Sequence, residues 1–419
     1  MGGGPPFSRG TIRFQNDLRG VPRAYLFSKP EEGEGYDEDR VRPAVTPAHV
    51  SKGLDDVVVG QSQVSWVGGT TGDLVYRGFD VRSLVPGIPY ESVVHLLLYG
   101  DPPEVDPSPE VVVALKAGRE PPATAERVVE ALAPELPPLE ALRTILSSLG
   151  DGSYGYPPTL DEGFRLIART PVLLARFVRR SLSQAPVKPR PELSHAANYL
   201  WMLTGTEPAP EQARALEGYL CLLADHGMNA STFALRVAIS TQSDLISAAT
   251  AALATLKGPI HGGAPSRVSE MLDAIGTPEH AEEWIADRLG RRELLFGFGH
   301  RAYKTEDPRG LVLHKIARSV ADPARFELAE AVERAALAAL RRARPDARLF
   351  TNVEYYSAVV LEAVGLPREM FTPTFAVART AGWTAHALEQ AADNRLIRPD
   401  VEYTGPAKGR EWPRPVSVA

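Results

Sequence analysis

Four polar knots hold the residue types able to do chemistry in this 419-residue chain. They are His226 in ADHGMN, His261 in GPIHGG, His300 and Arg309 in GFGHRAYKTEDPRG, and Glu354 in NVEYYS. Each falls at an expected helix boundary or in a Gly/Pro loop, where side chains from distant segments can converge. Taking a proton from a carbon beside a thioester needs a carboxylate base, and the resulting enolate needs a donor at its oxygen. Glu354 fits the base. A neutral His261 fits the donor, because Gly262 and Gly263 beside it would let a ligand approach the peptide closely. His300 fits a group that polarises an electrophilic carbonyl. Arg309, Arg379 and Arg398 would hold carboxylates through two parallel N–H bonds, which lysine cannot imitate. Any one of these residues alone reads more readily as a structural histidine or as a surface or ion-pair arginine; their joint occurrence carries the reading. A three-histidine zinc site is the alternative, but no two of these residues lie at HExxH or CxxC spacing, and no metal is expected.

The elements that must position these groups read as helices. Asp244–Leu256 is almost entirely Ala, Leu, Ile, Ser and Thr, opened by Ser243 and Asp244 and closed by Gly258 and Pro259, which predicts a buried helix delivering His261 into a turn. Helical spacing recurs over 124–132, 139–149, 211–223 and 327–342, and over 159–180 through Pro171, where a kink or break is expected. A polar turn at 351–353 precedes another helix, and a last helix starts near Thr374, carries Arg379 and ends near Asn394, with Arg398 beyond it. Turn residues at 70–73 followed by alternation through Leu74, Val75 and Tyr76 predict a small hairpin near the entrance. No alternation of strands with helices appears. The expected fold class is all-α, with fifteen or more helices and a minor N-terminal hairpin.

Composition narrows the class further. Hydrophobic residues at 44% and charged residues at 23% are ordinary globular values. No stretch reaches the roughly 18 consecutive apolar residues of a membrane span. The net charge of -6 provides no broad basic field for nucleic acid or anionic lipid. Cys221, the single cysteine, lies in the apolar GYLCLLAD and reads as a buried inert thiol. Residues 1–45, rich in Gly, Pro and acidic side chains, read as a flexible arm without the features of a signal peptide or mitochondrial presequence. The expected setting is a cytoplasmic protein without nucleic-acid or membrane partners.

ADHGMNASTFALRVAISTQSDL, LKGPIHGGAP, GFGHRAYKTEDPRG, NVEYYS and FAVARTAGWTAH, together with GDLVYRG near the start, resemble the citrate synthase family in order and spacing from about Gly53 to Pro406. That resemblance implies condensation of acetyl-CoA with oxaloacetate and hydrolysis of citryl-CoA, with a coenzyme A thioester as co-substrate and no permanently bound cofactor. By motif, His261 would stabilise the enol or enolate, His300 would bond the oxaloacetate carbonyl, and Glu354 would remove the methyl proton. His226, Arg309, Arg379 and Arg398 would bind carboxylates, Arg398 from the partner subunit of a homodimer. Lys304 and Lys257 would lie near CoA phosphates, and the backbone of Phe296, Gly297, Phe298 and Gly299 would hold the adenine.

The resemblance also implies a large helical domain (46–261 and 361–419) and a small one (262–360) that close over the substrates. One departure stands out: the family's usual base is an aspartate, and Glu354 adds a methylene. 2-Methylcitrate synthase, which takes propionyl-CoA, and a non-catalytic paralogue binding CoA or a dicarboxylate are the competing readings.

Overall fold

A computed structural model describes residues 50–55, 57–259, 261 and 264–406. The arm at 1–45 and the glycines Gly262 and Gly263 lie outside the described residues. The chain divides into two units, 1–58 and 59–419. The described part of the first is a 3-10 turn at Lys52–Leu54 with its flanking residues.

The second unit opens with an antiparallel sheet of β1 (Ser65–Gly68), β2 (Asp73–Tyr76) and β3 (Phe79–Asp80), in that order. Ser65 pairs with Tyr76 and Gly68 with Asp73, which is the expected hairpin. The third strand was not expected. It forms because Arg77 and Gly78 both take positive φ, 49° and 94°, and turn the chain tightly back onto Tyr76.

Sixteen α-helices follow among the described residues: α1 (Val81–Leu84), α2 (Tyr90–Tyr99), α3 (Pro109–Gly118), α4 (Ala123–Ala131), α5 (Pro138–Ser147), α6 (Leu160–Ser181), α7 (His195–Thr204), α8 (Pro210–Leu223), α9 (Ala230–Ser240), α10 (Leu245–Leu256), α11 (Ala264–Ile275), α12 (Ala281–Gly290), α13 (Pro308–Val320), α14 (Pro323–Ala343), α15 (Val353–Ala363) and α16 (Phe371–Ala392). The all-α expectation holds. The Asp244 carboxylate caps α10 by accepting from the Ser247 N–H at 2.9 Å. The buried Ala248, Ala249 and Ala252 suit its close packing on α9.

Pro171 does not break its helix. α6 starts on a capping box made by Thr159 and Glu162 and runs unbroken past the proline. Packing against α3, α5, α7 and α16 along its length outweighs one missing rung. The last helix begins three residues before Thr374, because a 3-10 turn at Arg368–Met370 leads straight into it and Pro373 falls in its first turn.

α16 is the core element. It packs on α2, α6, α8, α9 and α10, and from Phe375 to Ala387 every residue is buried, Trp383 included. Gly163 on α6 lets the two long helices approach, since a methyl there would run into Thr384. Arg379 therefore sits within an unbroken run of buried residues.

Candidate active site

The His226 loop is fixed from beneath by the entrance sheet. Tyr76 on β2 donates to the Leu222 and Asp225 carbonyls at 3.0 and 2.9 Å and accepts from the Asp225 N–H at 3.2 Å. Ser65 on β1 donates to the buried Asp225 carboxylate, which also accepts from the Gly227 N–H at 3.1 Å and lies 3.2 Å from His386 Nε2. Tyr303 shares a 3.2 Å hydrogen bond with His226 Nε2 and donates to the Asp73 carbonyl at 3.4 Å. The Lys304 N–H donates to the Gly69 carbonyl at 2.7 Å. The sheet thus braces the loops of both His226 and His300.

His300 is locked in one tautomer. Its Nδ1 accepts from the Ala302 and Tyr303 N–H groups at 3.0 and 3.2 Å, so the proton resides on Nε2. Its ring lies 5.4 Å from that of His226 and 4.8 Å from that of Tyr303. Burial and the neighbouring Arg309 and Lys304 push its pKa down to about 4, against a smaller opposing pull from Asp307.

His261 is held the other way round. Its Nε2 accepts at 3.3 Å from the Ser231 N–H in the first turn of α9, a donor shared with Asn229 Oδ1 at 3.1 Å, and this leaves the proton on Nδ1. The positive end of that helix disfavours an imidazolium. Burial and the Arg379 charge push its pKa down to about 4. Its ring lies 6.5 Å from that of Phe375, and the Arg379 guanidinium carbon lies 4.7 Å from the same ring.

Arg309 lies in the first turn of α13 and is 3% exposed, which would be costly without a partner. Asp307, the cap of that helix, supplies one: its carboxylate accepts from Arg309 Nε at 3.0 Å and Nη2 at 2.8 Å. Its Oδ2 also accepts from the Val353 N–H at 3.1 Å. Asn352 caps α15 by accepting from the Glu354 N–H at 3.0 Å. Arg379 donates through Nε to the Leu223 carbonyl at 2.8 Å, and no described residue accepts from its two Nη groups.

Glu354 stands in the first turn of α15, and no described residue donates to its carboxylate. Burial, reinforced by Asp307 and opposed by Arg309 and Arg379, raises its pKa to about 7. His226 is held neutral by burial and then by Arg309, His300, Arg379 and His261. These mutual influences mark one locus for His226, His261, His300, Arg309, Arg379 and Glu354. It is a positively biased locus with two neutral imidazoles of fixed tautomer and a carboxyl poised near neutrality.

Other candidates fall outside that knot. Arg398 is exposed, with Asp400 at 3.9 Å. Lys257 pairs with Glu140 at 2.5 Å. Lys304 is close enough to affect His300, and its Nζ donates to the Arg301 carbonyl at 3.3 Å. Phe296 is partly exposed, while Phe298 packs 5.2 Å from the Tyr355 ring. Gly297 and Gly299 take φ of 87° and 82°, and their backbone is stitched to the cap of α15. Gly299 N–H donates to Phe350 O at 2.8 Å, and the Gly297 and Gly299 carbonyls accept from Asn352 N–H and Nδ2 at 2.9 and 2.8 Å.

Sequence reasoning missed Asp225, Asp307, Asn352 and Tyr303. Asp307 and Asn352 had usable signals, an aspartate directly before a proline and an asparagine directly before an apolar residue, each at the start of a helix. The others had none, because their roles depend on contacts between distant segments.

Fold and site together define a multi-helix enzyme suited to carbon-acid chemistry on an anionic substrate. The family model for the citrate synthase C-terminal domain matches residues 53–400. A citrate synthase of Deinococcus radiodurans is 38% identical over 368 residues, covering 85% of this chain and 96% of that protein. A citrate/2-methylcitrate synthase of Bacillus subtilis is 35% identical over 372 residues, covering 85% and 97%. Among solved structures, citrate synthase of Thermotoga maritima aligns with a TM-score of 0.77 at 34% identity, covering 87% of this chain and 98% of that one. Citrate synthase of Thermoplasma acidophilum, in ternary complex with carboxymethyl coenzyme A and oxaloacetate, aligns with a TM-score of 0.79 at 30% identity and the same coverages. The chain belongs to the citrate synthase family, a family of acyltransferases.

Proposed function

We propose that this chain joins the methyl carbon of acetyl-CoA to the keto carbon of oxaloacetate, with Glu354 as base and His261 and His300 as neutral hydrogen-bond donors. The observation that carries this reading is the opposite locking of the two imidazoles. His261 offers Nδ1–H and His300 offers Nε2–H, because a backbone N–H occupies the other nitrogen of each.

Glu354 takes a methyl proton, and His261 Nδ1–H bonds the thioester oxygen as charge moves onto it. The enol carbon then attacks the keto carbon, whose oxygen, polarised by His300 Nε2–H, gains a proton equivalent to the one that Glu354 removed and becomes the hydroxyl of citryl-CoA. Water cleaves the thioester to give citrate and CoA. Arg309, Arg379 and His226 hold the carboxylates; buried guanidinium groups bind an anion strongly because water does not compete.

The same reading covers the finer assignments. The enzyme acts as a homodimer in which Arg398 reaches the partner's site. Lys304 and Lys257 meet CoA phosphates, with Lys257 exchanging Glu140 for them, and the loop Phe296–Gly299 lies beside the adenine. Closure of 262–360 onto 46–261 and 361–419 excludes water from the enolate. The chain works in the cytoplasm and supplies citrate to the tricarboxylic acid cycle.

Thiol release from acetyl-CoA plus oxaloacetate, followed with a chromogenic reagent, tests the reading. Release that needs both substrates is the expected result. A higher kcat/KM with propionyl-CoA would make the chain a 2-methylcitrate synthase, and no release at high enzyme concentration would make it a binding paralogue. One methylene in an apolar pocket discriminates by only about 1–3 kcal/mol, so both acyl-CoAs must be measured.

A further inference from the structure

Six of the described tyrosines are fully buried, and among them Tyr219 alone has a hydroxyl without a hydrogen-bond partner among the described residues. Tyr76 bonds the Leu222 carbonyl at 3.0 Å, Tyr90 the Ala378 carbonyl at 3.4 Å and Tyr199 the Thr374 hydroxyl at 3.1 Å. Tyr355 bonds the Ala329 carbonyl at 2.8 Å and Tyr356 the Glu333 carboxylate at 2.5 Å. A buried donor left unmatched is costly, and selection normally removes it unless another state of the protein uses it.

The position of Tyr219 indicates which state. It projects from α8, the helix on which α13, α15 and α16 converge with Arg309, Glu354 and Arg379. Those three charges, together with Tyr199, are the ionisable groups acting on the phenol, and Glu354 is the strongest of them. Glu354 in turn has a carboxylate to which no described residue donates. An unmatched donor and an unmatched acceptor therefore lie within electrostatic reach across the contact of α8 with α15.

We propose that Tyr219 is a positioning residue for Glu354: in the substrate-bound state its hydroxyl donates to one carboxylate oxygen and fixes the glutamyl arm, leaving the other oxygen to take the methyl proton. The inference rests on the reading of Glu354 as the base. The phenol keeps its proton throughout and touches no reacting atom. Its role follows from arm length, since a glutamate has one more rotatable bond than the aspartate usual in this family and needs an anchor that an aspartate does not. A donor to the ionised base also lowers the pKa of that base in the complex, so the acid limb of kcat lies below that of kcat/KM.

The test is Tyr219→Phe, which removes one oxygen from a buried ring. The expected result is a fall of about ten- to a hundred-fold in kcat, an oxaloacetate KM within about two-fold of the parent, unreduced thermal stability, and an acid limb of kcat moved up to meet that of kcat/KM. In a Glu354→Asp background the same change should cost little more, because the shorter arm lies beyond the hydroxyl. Parental kcat with an unmoved acid limb in Tyr219→Phe, or full additivity with Glu354→Asp, overturns the proposal. Should the phenylalanine variant fail to fold, 3-fluorotyrosine at 219 decides: a stronger donor lowers the acid limb of kcat, and an unmoved limb overturns the assignment. Glu354→Gln run alongside separates the two readings. Turnover retained there refutes Glu354 as base, whereas turnover lost there but unchanged in Tyr219→Phe refutes only the role of Tyr219.

Discussion

Asp307 Oδ2 accepts from the Val353 N–H at 3.1 Å while the same carboxylate grips the Arg309 guanidinium at 2.8 and 3.0 Å. One buried side chain therefore sets the distance between a carboxylate-binding arginine on α13 and the first turn of α15, where Glu354 stands. Substrate position and base position are coupled through it.

Asp307→Asn should damage both. It leaves Arg309 as a buried cation without its counter-charge, a loss of about 3–5 kcal/mol. Urea denaturation should show that drop, and the purified variant should bind oxaloacetate weakly by calorimetry. Stability within about 0.5 kcal/mol of the parent would mean that the pair is not what holds α13 to α15.

The pH profile of kcat/KM should have its acid limb near 7. Only ionised Glu354 can take the methyl proton, and burial raises its pKa to about 7. Below that value the active fraction falls about ten-fold per pH unit. His261 and His300, at about 4, stay neutral across the same window and add no limb there. Steady-state rates from pH 5 to 9 check this, and a limb at the ordinary carboxylate pKa would contradict it.

Gly382→Ala should be destabilising through the His226 loop. The Gly382 N–H donates to the Ala224 carbonyl at 3.0 Å, and a methyl at this position would run into that carbonyl and the Asp225 carboxylate. A cost of about 1–3 kcal/mol is expected, with reduced affinity for oxaloacetate because His226 moves with Asp225. Thermal unfolding and calorimetry read the two effects.

Mixing Arg398→Ala chains with His261→Ala chains should restore part of the activity that each lacks alone. Each heterodimer then assembles one site with both residues intact. Rates after subunit exchange measure it, and the absence of any gain would refute the shared site.

The helices were legible because their signals are local. Asp244, Gly100 and the Thr159–Glu162 pair mark their ends through backbone chemistry confined to a single turn. The continuity of α6 through Pro171 was not legible, because packing on four other helices decides it. The histidines and arginines of the site stood out as residue types in loops and by resemblance. Their tautomers did not, since Ser231 fixes His261 from 30 positions away and the hairpin braces the loops of both His226 and His300. Asp225 and Tyr219 looked like ordinary helix-end and helix residues; their burial beside the site is a property of the assembled fold.

The most direct test is the turnover of Glu354→Gln, measured by thiol release from acetyl-CoA and oxaloacetate, with oxaloacetate binding followed by calorimetry on the same sample. The glutamine keeps size and hydrogen-bonding capacity but cannot accept the methyl proton. The expected result is nearly unchanged oxaloacetate binding with kcat lower by about two to four orders of magnitude. Turnover equal to that of the parent protein would show that the proton goes elsewhere and would contradict the assignment of the base.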